Sequence, residues 1–146
     1  MDVRVNKNEK KIEWNVGSRT ITIHNAHVLY AFKHGKNLLM VKEKYESSES
    51  GFSIYDKCGN LVVSYKYLGD SLTFREVNIA DIKGAIISAD YEEEKRMVII
   101  LKELEETRSL LIYDEQGDFI AEIVSPQGYT FAVSYTHLRA HETRSN

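Results

Sequence analysis

Phe52-Ser53-Ile54-Tyr55-Asp56-Lys57-Cys58-Gly59-Asn60-Leu61-Val62-Val63 and Leu110-Leu111-Ile112-Tyr113-Asp114-Glu115-Gln116-Gly117-Asp118-Phe119-Ile120-Ala121 carry one pattern, with Ile-Tyr-Asp-x-x-Gly at matching places. Each is a β-branched and aromatic run, a short polar reversal, and a second apolar run, which is how a β-hairpin is written in sequence. The aspartate accepts hydrogen bonds from its own turn, and the glycine supplies the positive φ that a tight loop demands. These two reversals predict paired strands on either side of Gly59 and Gly117.

The likeness extends outward from the turns. Leu72-Thr73-Phe74 follows the first hairpin as Tyr129-Thr130-Phe131 follows the second, and Leu38 to Glu43 corresponds to Val98 to Glu103. Further upstream, Ile21 to Ala26 followed by Val28-Leu29-Tyr30 is set against Val77 to Ile82 followed by Ala85-Ile86-Ile87. The unit of repetition is therefore about four strands. Val3-Arg4-Val5, the turn Asn6 to Glu9, and Ile12-Glu13-Trp14 add a looser half-copy at the start. Residues 92–106 are rich in helix formers, and Met97, Ile100, Leu101 and Leu104 share a helical spacing. Strand is preferred, because Val98-Ile99-Ile100 is β-branched and the equivalent Leu38 to Val41 has no helical period. Glu92-Glu93-Glu94 then forms an acidic hairpin tip.

The fold class expected is all-β: an antiparallel meander of repeated hairpins, incomplete and β-propeller-like, with a β-sandwich or an open twisted sheet as alternatives. The Ile-Tyr-Asp-x-x-Gly-(Asn/Asp) turns at Ile54 to Asn60 and Ile112 to Asp118 resemble the outer hairpins of β-propeller blades, over most of residues 1–133. No Trp-Asp or Gly-His dipeptide accompanies them, so no named propeller family is matched. The resemblance implies a ligand-binding or partner-binding scaffold whose working residues lie on connecting loops. Ser134 to Asn146 resembles the translated sequencing-adapter read-through that ends unrelated reading frames. On that reading, residues 1–133 are a single all-β domain and the N-terminal fragment of a longer protein, and 134–146 are a non-native or disordered tail.

Composition narrows the function classes. A net charge of −3, from 19 Lys plus Arg against 22 Asp plus Glu, argues against nucleic acid as partner. The longest apolar run, Met97 to Leu101, falls far short of the roughly 20 residues that cross a bilayer. The charge-interrupted N-terminus and the single cysteine, Cys58, suit a cytoplasmic protein. No nucleophile elbow, phosphate loop or dinucleotide fingerprint occurs, so catalysis has no positive sign. His137 and His141 have a metal-like i, i+4 spacing but lie in the suspect tail. His24 and His27 lack a nearby carboxylate or thiol ligand in sequence, and neither a metal nor a cofactor is expected. Asp56 and Asp114 are explained by turn chemistry. Tyr45, in the polar loop, and Tyr91, beside the acidic tip, fall outside the strand patterns and are the candidate surface-binding residues. A protein partner is the expected class of ligand, and an unpaired strand edge would favour self-association.

Overall fold

The computed structural model describes residues 2–125. Tyr129-Thr130-Phe131, the segment from Ser134, and the His137 and His141 pair lie outside these described residues. Thirteen strands are present among the described residues: β1 (Val3–Asn6), β2 (Lys11–Val16), β3 (Arg19–His24), β4 (Val28–His34), β5 (Leu38–Lys44), β6 (Ser50–Tyr55), β7 (Leu61–Leu68), β8 (Ser71–Phe74), β9 (Val77–Asp81), β10 (Ala85–Glu92), β11 (Met97–Leu104), β12 (Thr107–Asp114) and β13 (Phe119–Val124). No helix occurs among the described residues. The strands make three antiparallel meander sheets, β1-β2-β3, β4 through β9, and β10 through β13, none closed into a barrel. The chain divides into two compact units, the first ending at Asp81 and the second beginning at Ile82.

The Asp-x-x-Gly reversals behave as their chemistry requires. Asp56 Oδ1 accepts from the amides of Cys58 and Asn60, both at 2.9 Å, and Asp114 Oδ1 accepts from those of Gln116 and Asp118 at the same distance. The Gly59 and Gly117 amides close the turns onto the Asp56 and Asp114 carbonyls at 3.0 and 3.3 Å, with φ of 83° and 89°. β4 to β7 and β10 to β13 are both four-strand meanders with bulges at corresponding places. The pairing of β4 with β5 skips Leu29 and that of β10 with β11 skips Ile87, while Val62 and Ile120 are skipped beside the two glycine turns. The chain moves to a new sheet after β3 and again after β9. Residues 92–106 form the end of β10, a turn from Glu93 to Arg96, the whole of β11 and the turn at Glu105 and Glu106, so the strand preference holds there, while the acidic tip begins at Glu93 and leaves Glu92 buried at the end of β10.

In the first unit, Ile12 and Trp14 alternate along β2 and meet Ile23 of β3 with Leu39 and Val41 of β5; all five are buried. The three-stranded sheet thus covers one face of the β4-β5-β6 region. Met40, Phe52, Ile54, Val63, Tyr65 and Leu72 on the opposite face are almost completely buried as well. Leu38 to Val41 therefore bury four successive residues, where a strand covered on one side would alternate. Aromatic rings follow the register across the sheet: Phe52 and Tyr65 are 6.0 Å apart, and Tyr65 and Phe74 5.1 Å. In the second unit, Val98 and Ile100 of β11 are fully buried, and Ile99 packs with Leu110, Leu101 and Ile123.

Candidate functional site

The β4–β5 hairpin concentrates three kinds of environment within the seventeen residues from Val28 to Lys44. Its base is held by a buried carboxylate. Glu43, 5% exposed near the end of β5, receives Asn25 Nδ2 at 2.7 Å and Ser53 Oγ at 2.6 Å on Oε2, and the Tyr45 hydroxyl at 3.2 Å on Oε1. Asn25 also donates to the Tyr55 hydroxyl at 3.2 Å, while its own Oδ1 accepts the His27 amide at 3.0 Å. A carboxylate this buried is tolerable only when its lone pairs are filled, and here three donors fill them. Gly51 leaves the room: a Cβ there would lie 3.2 Å from Glu43 Oε1 and 2.7 Å from the Tyr65 carbonyl.

Tyr45 belongs to this anchor. Its ring stacks on His27 with centroids 4.0 Å apart, and Lys66 Nζ stands 5.0 Å from the ring centroid. Burial, and then the charge of Glu43, hold its hydroxyl above the ordinary tyrosine range. The loop carrying it closes with the Tyr45 amide donating to the Glu49 carbonyl at 2.9 Å and the Ser48 amide donating to the Tyr45 carbonyl at 3.0 Å.

The middle of the hairpin is apolar and open. On β4, Leu29, Tyr30 and Phe32 are 41%, 51% and 38% exposed. Tyr30 and Phe32 alternate onto one face, their rings roughly parallel with centroids 6.1 Å apart. Among the described residues β4 is the end strand of its sheet and pairs only with β5, with β1 packed near it on the side away from these rings. The tip is cationic, with Lys33 and Lys36 both exposed and neither in an ion pair with a described acid.

Tyr91 is elsewhere. It lies within β10 rather than outside the strands, because the tip turn begins only at Glu93, and it is 3% exposed. Its hydroxyl donates to Glu115, whose other oxygen accepts Arg96 Nε at 2.8 Å, so the residue ties the β10–β11 tip to the turn before β13. A surface groove of about 540 Å³ runs along β1 and β2, lined in part by Arg4, Lys7 and Lys11. Two of those cations are already paired, Arg4 with Glu13 at 3.0 Å and Lys11 with Glu9 at 2.9 Å. Among the described residues no three His, Cys, Asp or Glu side chains converge as a metal site, and no helix is long and apolar enough to cross a membrane.

Sequence reasoning names Tyr45, as a surface-binding residue where the structure makes it part of the half-buried anchor, and misses Glu43, Asn25, Tyr30 and Phe32. One signal was available for the hairpin: no acidic residue occurs between Glu13 and Glu43, a stretch holding Arg19, Lys33, Lys36, Lys42 and three histidines. Comparison with family models, with curated proteins and with solved structures gives no match to this chain.

Proposed function

We propose that this chain is a cytoplasmic protein-interaction module, a blade-like β-repeat scaffold that engages a protein partner through the β4–β5 hairpin. The observation that carries the reading is the stacked pair Tyr30 and Phe32, left exposed beside Leu29 on an end strand. Two aromatic rings and a leucine left about half exposed forgo part of the stabilisation of burial, which is about 1.5–3 kcal/mol for a large apolar side chain buried completely. Interfaces recover that energy, and aromatic anchors are what they favour. The buried Glu43 anchor fixes the base of the hairpin, so the strip is presented on a rigid element. The matching bulges and turns of the two four-strand meanders support the blade-like repeat, and the lone exposed thiol of Cys58 suits a reducing compartment.

The test places a photo-crosslinking amino acid at position 30 or 32, with exposed Lys57 as the control position, and irradiates cells producing the protein. Discrete protein adducts from positions 30 and 32 and none from 57 support the reading. Equal labelling at all three positions, or none at any, overturns it.

A further inference from the structure

We infer that the β4–β5 hairpin takes an acidic protein segment, one whose carboxylates meet Lys33 and Lys36 while its apolar side chains lie on Tyr30 and Phe32. This deepens the interaction reading and rests on it. The argument for the occupant is charge complementarity. From Trp14 to Lys42 the chain carries four Lys or Arg residues, three His and no acid. Residues 1–81 hold 12 Lys plus Arg against 10 Asp plus Glu, a net +2, whereas residues 82–146 hold 7 against 12, a net −5. The exposed strip therefore lies in the cationic part of an anionic chain.

Position along the hairpin sharpens the inference. Successive residues of β4 point to opposite faces, so Tyr30 and Phe32 share one face and Lys33 stands on the other, with Lys36 at the tip beyond. Lys42 faces Tyr30 in the register and lies 5.4 Å from the Phe52 ring centroid, which adds positive charge beside the aromatic face. An extended segment alternating apolar and acidic residues matches that alternation, apolar on the ring side and acidic on the lysine side. Nucleic acid is the poorer fit. Stacking bases would suit the rings, but the exposed tip offers two lysines, too few to neutralise a run of phosphates. A peptide needs only two carboxylates.

The experiment selects binders to the full chain from a random 12-residue peptide display library, and measures labelled oligo(dT) in parallel by fluorescence anisotropy. The expected result is a selected pool rich in Asp and Glu interleaved with Leu, Phe or Trp. Its binders should weaken at least tenfold on Lys33→Glu/Lys36→Glu, and also as salt rises from 50 to 300 mM. Lys33→Gln/Lys36→Gln should show the same loss of acid preference, and circular dichroism confirms that each variant folds. A pool without acid enrichment, a pool unchanged on the charge-reversed chain, or oligo(dT) binding more tightly than the selected peptides overturns the inference. Adducts from position 30 that persist in the charge-reversed chain would leave the interaction reading standing while refuting the acidic partner.

Discussion

Replacing Glu43 tests whether the hairpin is anchored as described, because the three donors around it respond differently to different side chains. Glu43→Ala removes the acceptor for Asn25 Nδ2, Ser53 Oγ and the Tyr45 hydroxyl. Ser53 can turn to Ser64 at 3.1 Å, and the tyrosine hydroxyl can rotate, but Asn25 cannot flip without losing the His27 amide on its Oδ1. One amide donor is then stranded in a buried site, at about 1–3 kcal/mol, and the lost bonds to a charged acceptor bring the total to roughly 3–5 kcal/mol. Glu43→Gln is milder. With its carbonyl oxygen in the Oε2 position it still accepts from Asn25 and Ser53, and its amide donates to a reversed Tyr45 hydroxyl, so about 1–2 kcal/mol is lost with the charge. Urea unfolding followed by circular dichroism reads the difference: at about 2 kcal/mol per molar, the Ala midpoint falls by roughly 1.5–2.5 M and the Gln midpoint by under about 1 M. An Ala variant within about 0.5 M of wild type, or a Gln variant as damaged as Ala, would refute the anchor.

Gly51→Ala drives a Cβ to within 2.7 Å of the Tyr65 carbonyl, so β6 and β7 must part; thermal unfolding should show about 1–3 kcal/mol of destabilisation despite the lost backbone freedom of the unfolded chain. The two-residue turn between β8 and β9 holds Arg75 and Glu76 at φ of 49° and 70°, a conformation that suits Asn-Gly. Arg75→Asn/Glu76→Gly is therefore expected to stabilise by about 1 kcal/mol in the same assay, even after loss of the Lys66 to Glu76 pair at 3.0 Å, whose glutamate is exposed, and of the Arg75 guanidinium 4.9 Å from the Phe74 ring centroid. Burial raises the hydroxyl pKa of Tyr45, Tyr55, Tyr67, Tyr91 and Tyr113, and these side chains fold in the neutral form. Because the folded values lie above the unfolded value of 10.0, their contribution is complete below pH 10 and declines as pH rises beyond it. Absorbance at 295 nm should show only part of the tyrosine ionising near pH 10, with the remainder appearing as the chain unfolds.

The parts of the fold legible in sequence are those set by local chemistry. Asp56 and Asp114 bind amides two and four residues on, so the turn and its flanking strands are encoded within five residues. The turn at Arg75 and Glu76 was not legible, since neither residue favours positive φ and nothing else marks a reversal there. Tyr91 was misplaced because the acid run beside it reads as a turn one residue too early. Glu43 sits between Lys42 and Lys44 and reads as a solvated charge. Its burial depends on Asn25 and Ser53, 18 and 10 residues away, which no local pattern exposes.

The two meanders also separate what the scaffold requires from what was added to one copy. Ser53 corresponds to Leu111, and the ladders, which set Glu43 against Gly51 and Lys102 against Ser109, make Lys102 the counterpart of Glu43. Where a serine hydroxyl bonds the buried acid in the first copy, the second has an aliphatic side chain, 5% exposed. Lys102 there pairs with Glu122 at 3.4 Å, and Glu103, the carboxylate one residue further along, pairs with Arg108 at 2.9 Å, its side chain 42% and that of Arg108 47% exposed. The second meander forms with the same bulge positions and the same glycine turn with a lysine in this place, its buried acids Glu92 and Glu115 lying instead at the end of β10 and in the turn before β13, so the cluster around Glu43 is not a requirement of the β-repeat. A polar network that the fold can do without, placed at the base of the hairpin that exposes Tyr30 and Phe32, is better explained by holding that hairpin in place. Glu103→Ala should accordingly cost under about 1 kcal/mol, as an exposed pair does, against the several expected for Glu43→Ala. Equal costs at the two positions would mean that both carboxylates serve the scaffold, and would remove the reason for treating the first hairpin as special.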